Sequence, residues 1–239
     1  MIDRLTQSRN FLDNHGFNLF AVLDLQTMPE MILQPLRQAE IALSSYQRMI
    51  LMGAAGLKMW EHLKTFGFKS DNPVDHFSQA TGERCLQEYF EINKWLTVFP
   101  SNIPLPLQQL GELAGWSHPS PLGLSIHPEY GTWFAYRAVF LVDDDVPVTR
   151  SEKTNSPCDT CIDTPCVSVC SVGAVSVSES LKLESCINYR LKEVSPCATR
   201  CLARMTCPVG KEYRYTDEQL AYHGNVSLNS LIRYRAESD

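Results

Sequence analysis

At 239 residues with 44% hydrophobic content, the chain can bury a sizeable core, with room for one large domain and a small one. Its formal net charge is −6 and neither half is basic, which excludes the broad phosphate-gripping surface by which proteins hold nucleic acid. No apolar run approaches the roughly 18 residues of a spanning helix, and the opening MIDRLTQSRNFLDNHG has no stretch of signal-peptide length, so the sequence predicts a soluble cytoplasmic protein with no membrane partner.

Ile2, Leu5, Phe11 and Leu12 fall on one face of a helix that Gly16 stops. Residues 17–23 form a short apolar run suited to a buried strand. A helix is expected over 29–44, then a second buried strand over 48–52 that ends in Gly53-Ala-Ala-Gly56. Residues 57–66 predict a helix closed by Gly67. Asn72-Pro73 opens a longer one to about Ile92, with Asn as cap and Pro in the first turn. Residues 95–99 read as a strand, 104–114 as a helix, and 123–142 as two strands turning at Pro128-Glu-Tyr-Gly131. Strands alternating with helices predict a mixed α/β or α+β sheet domain over residues 1–150, helices on its faces. Asp143-Asp-Asp-Val-Pro147 marks its boundary with a second domain, residues 151–239, rich in cysteine and punctuated by proline.

Eight of the nine cysteines lie between Cys158 and Cys207. Cys158, Cys161, Cys166 and Cys170 form C-x2-C-x4-C-x3-C, Cys186 stands alone, and Cys197, Cys201 and Cys207 form C-x3-C-x5-C-P. Soft thiolates at this density select iron–sulfur clusters or zinc. In a reducing compartment they serve as ligands rather than disulfides. The fourth cysteine of each run in a two-cluster ferredoxin ligates the other cluster. By that crossing Cys158, Cys161 and Cys166 take Cys207 as fourth partner, while Cys170 joins Cys186, Cys197 and Cys201, giving two [4Fe-4S] clusters. The spacing departs from the common C-x2-C-x2-C-x3-C-P in having Ile162-Asp-Thr-Pro165 before Cys166 and Ser171 after Cys170. Two structural zincs, or a single cluster, stay open as alternatives. Cys85, in a helical stretch, reads as a small core hydrophobe.

Gly115-Trp116, Pro121-Leu-Gly-Leu-Ser125, His127-Pro-Glu-Tyr-Gly-Thr-Trp-Phe134 and Ala138-Val-Phe-Leu141 precede this segment, and Gly173-Ala-Val175 and Cys186-Ile-Asn-Tyr-Arg-Leu191 lie within it. Together they resemble the epoxyqueuosine reductase family over about residues 111–208. The resemblance implies a cobalamin-binding α/β domain, akin to those of reductive dehalogenases and the cobalamin-processing chaperone, followed by a ferredoxin-like two-cluster module. It also implies electrons passing from the clusters to a cobalamin-like cofactor, for reduction of a small electrophile or of the cofactor itself, with a flavodoxin- or ferredoxin-type protein as donor. Where that family carries an acidic proton donor, Val98-Phe-Pro-Ser-Asn-Ile-Pro-Leu-Pro106 holds no carboxylate. Tyr130, Trp133 and Phe134 suit packing against a flat macrocycle, and His118 and His127 are the candidate polar contacts to it. The alternative is that these aromatics are ordinary core. Two functions follow: a redox enzyme built on a corrinoid, or a ferredoxin-type electron carrier or interaction protein without one.

Overall fold

The computed structural model describes residues 3–68, 70–151 and 154–238, so Ile2 of the expected first helix lies outside the described residues. The chain divides into two units. The first takes the chain up to Ser117 and Phe134–Thr154, and the second takes His118–Trp133 and the chain from Asn155. The single boundary expected near residue 150 therefore hides an excursion: residues 118–133 belong with the cysteine-rich segment. None of the described helices is long and apolar enough to cross a membrane.

The first unit opens with α1 (Arg4–Asn14), capped by the Asp3 carboxylate, which accepts the Thr6 N–H at 2.8 Å. Gly16 follows at φ +86°, and a Cβ there would lie 2.2 Å from the Met59 nitrogen, so only glycine fits the turn. Next come β1 (Leu19–Asp24) and α2 (Glu30–Gln38). The second helix stops well short of Ser44, because Glu40 takes a left-handed conformation and the Ile41 N–H turns back to the Leu36 carbonyl at 3.1 Å. After β2 (Arg48–Ala55), α3 (Lys58–Phe66) ends at Gly67 as expected. Then α4 (Pro73–Glu88) ends before Ile92: the N–H groups of Phe90 and Ile92 fold back onto the Cys85 and Leu86 carbonyls. Asn72 stands at the cap of α4, but its side chain makes no capping bond.

After β3 (Trp95–Phe99) and α5 (Leu107–Leu113) the chain enters the second unit, where β4 (His118–Pro119) pairs with β5 (Ser125–Ile126). It returns as β6 (Phe134–Val142). Only this last strand is long; the rest of the expected hairpin over 123–142 is β5 and a single bridge between His127 and Gly131. The sheet of the first unit runs β1-β2-β6-β3 with every pair antiparallel. A register shift between Met52 and Gly53 lets β2 run on past the expected end and pair with Phe134–Tyr136. The two central strands are buried almost throughout, Met49–Ala55 on β2 and Ala138–Val142 on β6, as strands covered on both faces require.

The second unit continues with α6 (Pro165–Ser168), α7 (Leu183–Arg190), α8 (Leu202–Met205) and α9 (Asp217–Ser238). One of its buried apolar clusters is small: Leu122, Val175 and Ala203, with Cys166, Val167, Cys170 and Leu181 packed against them. Polar ties fasten α9 to α7, from Arg235 to Glu184 at 3.2 Å and to the Asn188 amide, and from Arg190 to Ser227 at 3.1 Å.

Cys85 lies in the core of the first unit, as a hydrophobe would, with its thiol 3.7 Å from the Ser8 carbonyl that accepts its weak hydrogen bond. Burial pushes that thiol up to about 12, the Ser8 bond opposing the shift. Iodoacetamide at near-neutral pH is therefore expected to leave Cys85 unlabelled in the native protein and to label it in denaturant, as read by peptide mass spectrometry. Native labelling at the rate of an exposed thiol would contradict this burial.

Candidate metal centres

The first cysteine run begins in a Ser-Pro-Cys turn. The Ser156 hydroxyl accepts the Cys158 N–H at 3.3 Å, and the Cys161 N–H bonds the Cys158 carbonyl at 3.2 Å, so the two thiols start from one compact loop. Thr164, in a left-handed conformation, and Pro165 then open α6, which carries Cys166. Cys170 follows that helix, and its sulfur accepts the Ala174 N–H at 3.3 Å. Cys186 sits in the first turns of α7. A second Ser-Pro-Cys turn repeats the first, the Ser195 hydroxyl accepting the Cys197 N–H at 3.3 Å. Cys201 caps α8, its sulfur accepting the Arg204 N–H at 3.4 Å, and Cys207 comes just after that helix.

These eight thiols are brought together as two sets of four. Cys170, Cys186, Cys197 and Cys201 border a cavity of about 70 Å3, with Leu122, Val175, Arg190 and Arg200 among its other walls. Cys158, Cys161, Cys166 and Cys207 border a second cavity of about 30 Å3, closed by Pro121, Leu122, Pro157, Pro165 and Pro208. Each space admits a group of a few atoms and neither admits a macrocycle. Among the described residues, no three His, Cys, Asp or Glu side chains converge tightly enough to hold a single metal ion.

Burial, and then repulsion from neighbouring thiolates, pushes most of the thiols with a resolved shift upward. For Cys158 the neighbours are Cys207, Cys166 and Cys161; for Cys186 they are Cys201, Cys170 and Cys197, partly offset by Arg190. Cys166 and Cys201 are raised likewise, burial first. Cys170 departs from this pattern. Burial would raise it, but the N–H groups of Val172, Gly173, Ala174 and Val175 outweigh burial and draw it below the usual thiol value. An uncompensated set of four thiolates is thus an unfavourable arrangement that a cationic group at its centre relieves.

The five residues considered for a macrocycle fall in both units, Phe134 in the first and His118, His127, Tyr130 and Trp133 in the second. Phe134 opens β6 in the first unit, buried, with its ring edge on Tyr136. The indole of Trp133 is 0% exposed, with the Arg204 guanidinium 4.4 Å from its centroid and Tyr215 edge-on at 5.5 Å. Its ring is a core element of the second unit, the packing expected if these aromatics are ordinary core. Tyr130 packs against Tyr213 at 4.7 Å and His127 at 4.5 Å. His127 accepts the N–H groups of Glu129 and Tyr130 on Nδ1, at 3.0 and 3.2 Å. His118 pairs with Ile126 in the short ladder.

The same loop is clamped to the last cysteine. Cβ atoms at Gly131 and Gly210 would meet the Val209 and Tyr130 carbonyls at 2.2 and 2.4 Å, so backbone meets backbone there. Arg204 donates to the Thr132 carbonyl and to its hydroxyl at 3.3 Å. Sequence reasoning missed Ser156, Ser195 and Arg204. The doubled Ser-Pro-Cys tripeptide was the available signal for the serines; a lone arginine carries none.

No known family profile matches the chain, and no curated protein matches it. Its fold is similar to that of solved structures. One is epoxyqueuosine reductase with an epoxyqueuosine-modified tRNA-Tyr stem loop, at a TM-score of 0.57 and 12% identity, over 88% of this chain and 66% of that one. Another is epoxyqueuosine reductase from Bacillus subtilis, at 0.56 and 12%, over 89% and 68%. A third is the C. elegans B12-trafficking protein CblC, a homologue of human MMACHC, at 0.50 and 16%, over 92% and 91%. The chain spans about two thirds of the length of the reductases. At these identities the likeness is one of fold.

Burial holds the His127 ring down to about 4, with Glu129 opposing and His118 adding to the fall. The folded value lies below the ordinary 6.5, so the unfolded chain takes up the proton first. The stabilisation is complete above about pH 6.5 and is lost as pH falls toward about 4. His127→Asn, which keeps an acceptor but cannot titrate, is expected to flatten the fall in thermal stability across that window. An unchanged pH profile in the variant would show that His127 is not its source.

Proposed function

We propose that this chain is a cytoplasmic iron–sulfur electron-transfer protein. Cys158, Cys161, Cys166 and Cys207 hold one [4Fe-4S] cluster in this reading, and Cys170, Cys186, Cys197 and Cys201 hold the other. The carrying observation is the sorting of eight thiols around two separate cavities, with Cys170 and Cys207 each exchanged out of its own run. Four sulfurs spread around a space suit a group that takes each at a separate iron. A mononuclear zinc instead needs all four within about 2.3 Å of one point. Each cluster, when bound, supplies a site that takes up and gives back one electron. The chain's own part is to fix the sulfurs through the two Ser-Pro-Cys turns and α6, α7 and α8, and to close the cavities with proline, leucine and valine.

A cobalamin-like cofactor is the acceptor in this proposal, and a flavodoxin- or ferredoxin-type protein the donor. Support for the corrinoid comes from the fold shared with epoxyqueuosine reductase and a B12-trafficking protein. His118, His127, Tyr130, Trp133 and Phe134 are the residues proposed to meet it. A second reading, an electron carrier that binds no corrinoid, is favoured by the closed packing of Trp133 and by the absence of a carboxylate from residues 98–106.

Protein purified without oxygen should be brown and carry about eight iron and about eight sulfide per chain; stoichiometric zinc without sulfide would overturn the reading. Cys207→Ser is expected to damage the cluster of Cys158, Cys161 and Cys166, and Cys170→Ser the other, each also loosening the cysteine-rich segment. Loss of the same cluster in Cys158→Ser and Cys170→Ser would refute the crossing.

Cobalamin added to cluster-loaded protein is expected to bind stoichiometrically, shift its visible bands and be reduced with the clusters. Absence of binding with intact clusters would leave the carrier reading. Trp133→Ala is expected to lower stability by about 3–5 kcal/mol; a further, specific loss of cobalamin binding would favour the corrinoid reading over the carrier.

A further inference from the structure

The two thiol-lined cavities differ in how well they accommodate negative charge. Resting on the cluster assignment above, we propose that the cavity of Cys170, Cys186, Cys197 and Cys201 holds the more easily reduced cluster, so that the first electron delivered to the chain resides there.

Reduction takes one electron from a low-potential donor and lowers the cluster core from 2+ to 1+; no bond forms or breaks. With four thiolates the whole group becomes more negative, and the site better able to stabilise that charge has the higher potential. At the larger cavity Arg190 and Arg200 are wall residues. Arg190 is pinned by the Ala198 carbonyl at 2.9 Å and by Ser227 at 3.1 Å, so its charge stays beside α7 and Cys186. Arg204, whose guanidinium is held over Trp133 and Tyr215 at 4.4 and 5.2 Å and bonded to Thr132, adds only a weak attraction at Cys201. Two backbone N–H groups also point at sulfur there, Ala174 to Cys170 at 3.3 Å and Arg204 to Cys201 at 3.4 Å. Hydrogen bonds to cluster sulfurs raise the potential in the same direction as positive charge. Glu184 on α7 would oppose them, but it is paired with Arg235.

The smaller cavity is walled by proline and aliphatic side chains, and no charged side chain is among its described walls. Arg214 is not among its walls, but its Nη2 reaches the Cys207 carbonyl at 3.3 Å, and its charge offsets part of the difference. The exposed Asp159 and Asp163 flank Cys161 and work the other way. Hydrogen bonds reach sulfur at this cavity too, from Ser156 to Cys158 and from the Cys166 and Val167 N–H groups to Cys166, so it is the wall charge of Arg190 and Arg200 that favours the larger cavity.

The test is a reductive titration of the full chain, loaded with iron and sulfide without oxygen, with dithionite as electron donor and the reduced clusters counted by electron paramagnetic resonance. Two one-electron steps are expected, separated by at least tenfold in electron affinity, about 59 mV for a one-electron couple. Cys207→Ser should keep the upper step, and Arg190→Gln, which retains a donor for the Ala198 carbonyl, should lower the upper step alone. Coincident steps, a Cys207→Ser protein that keeps the lower step, or an Arg190→Gln protein with both steps unmoved would overturn the inference while leaving the clusters standing. A chain that takes up no iron and sulfide would overturn the cluster reading, and the inference with it.

Discussion

The cysteine-rich unit is constrained above all by the burial of thiols beside one another. Burial raises the proton affinity of Cys158 and Cys186, and repulsion from neighbouring sulfurs adds to the effect. The apolar cluster of Leu122, Val175 and Ala203 against which Cys166 and Cys170 pack is slight, and Leu122 walls both cavities. A group bound by the sulfurs would add to the order of this segment, since ligand binding and folding share one free energy. The turns at Ser156 and Ser195 and the ties between α7 and α9 reduce what that binding must supply, because they hold loops near their final positions.

The first unit is held differently. Its β2 and β6 are buried on both faces, and large apolar side chains such as Phe17, Trp60 and Phe140 fill the space around them. Burial of this kind is independent of any cofactor. The loop over residues 118–133, whose aromatic content suits a cofactor cradle, belongs to the cysteine-rich unit. Thr132 and Trp133 fix Arg204, and Gly131 meets Val209 just beyond Cys207. Of its rings, Tyr130 packs on Tyr213 and Trp133 on Arg204 and Tyr215.

Much of this was legible in the sequence because it depends on local pattern. The short apolar runs gave β1 and β3, Gly16 and Gly67 stopped their helices, and the order of cysteines grouped the thiols as the cavities do. What escaped depends on contacts remote in the chain. Helix α2 ends early through a left-handed Glu40 that no propensity marks, and β2 runs past Gly53 only because β6 offers a partner in shifted register. The burial of Trp133 was hidden for the same reason: its neighbours Arg204 and Tyr215 lie some seventy to eighty residues downstream. A tryptophan in an aromatic loop looks alike in sequence whether its face meets a ligand or an arginine.

Because His118–Trp133 belongs to one unit and Phe134–Val142 to the other, neither unit is a continuous stretch of chain. On the ribosome, β1, β2 and β3 emerge before β6, the strand that lies between β2 and β3, so the sheet cannot close until the excursion has already been synthesised. The excursion in turn waits for Arg204 and Val209, near the end of the chain. Until then Tyr130 and Trp133 lack Arg204, Tyr213 and Tyr215 as neighbours, and apolar surface left exposed in this way favours misassociation of a nascent chain.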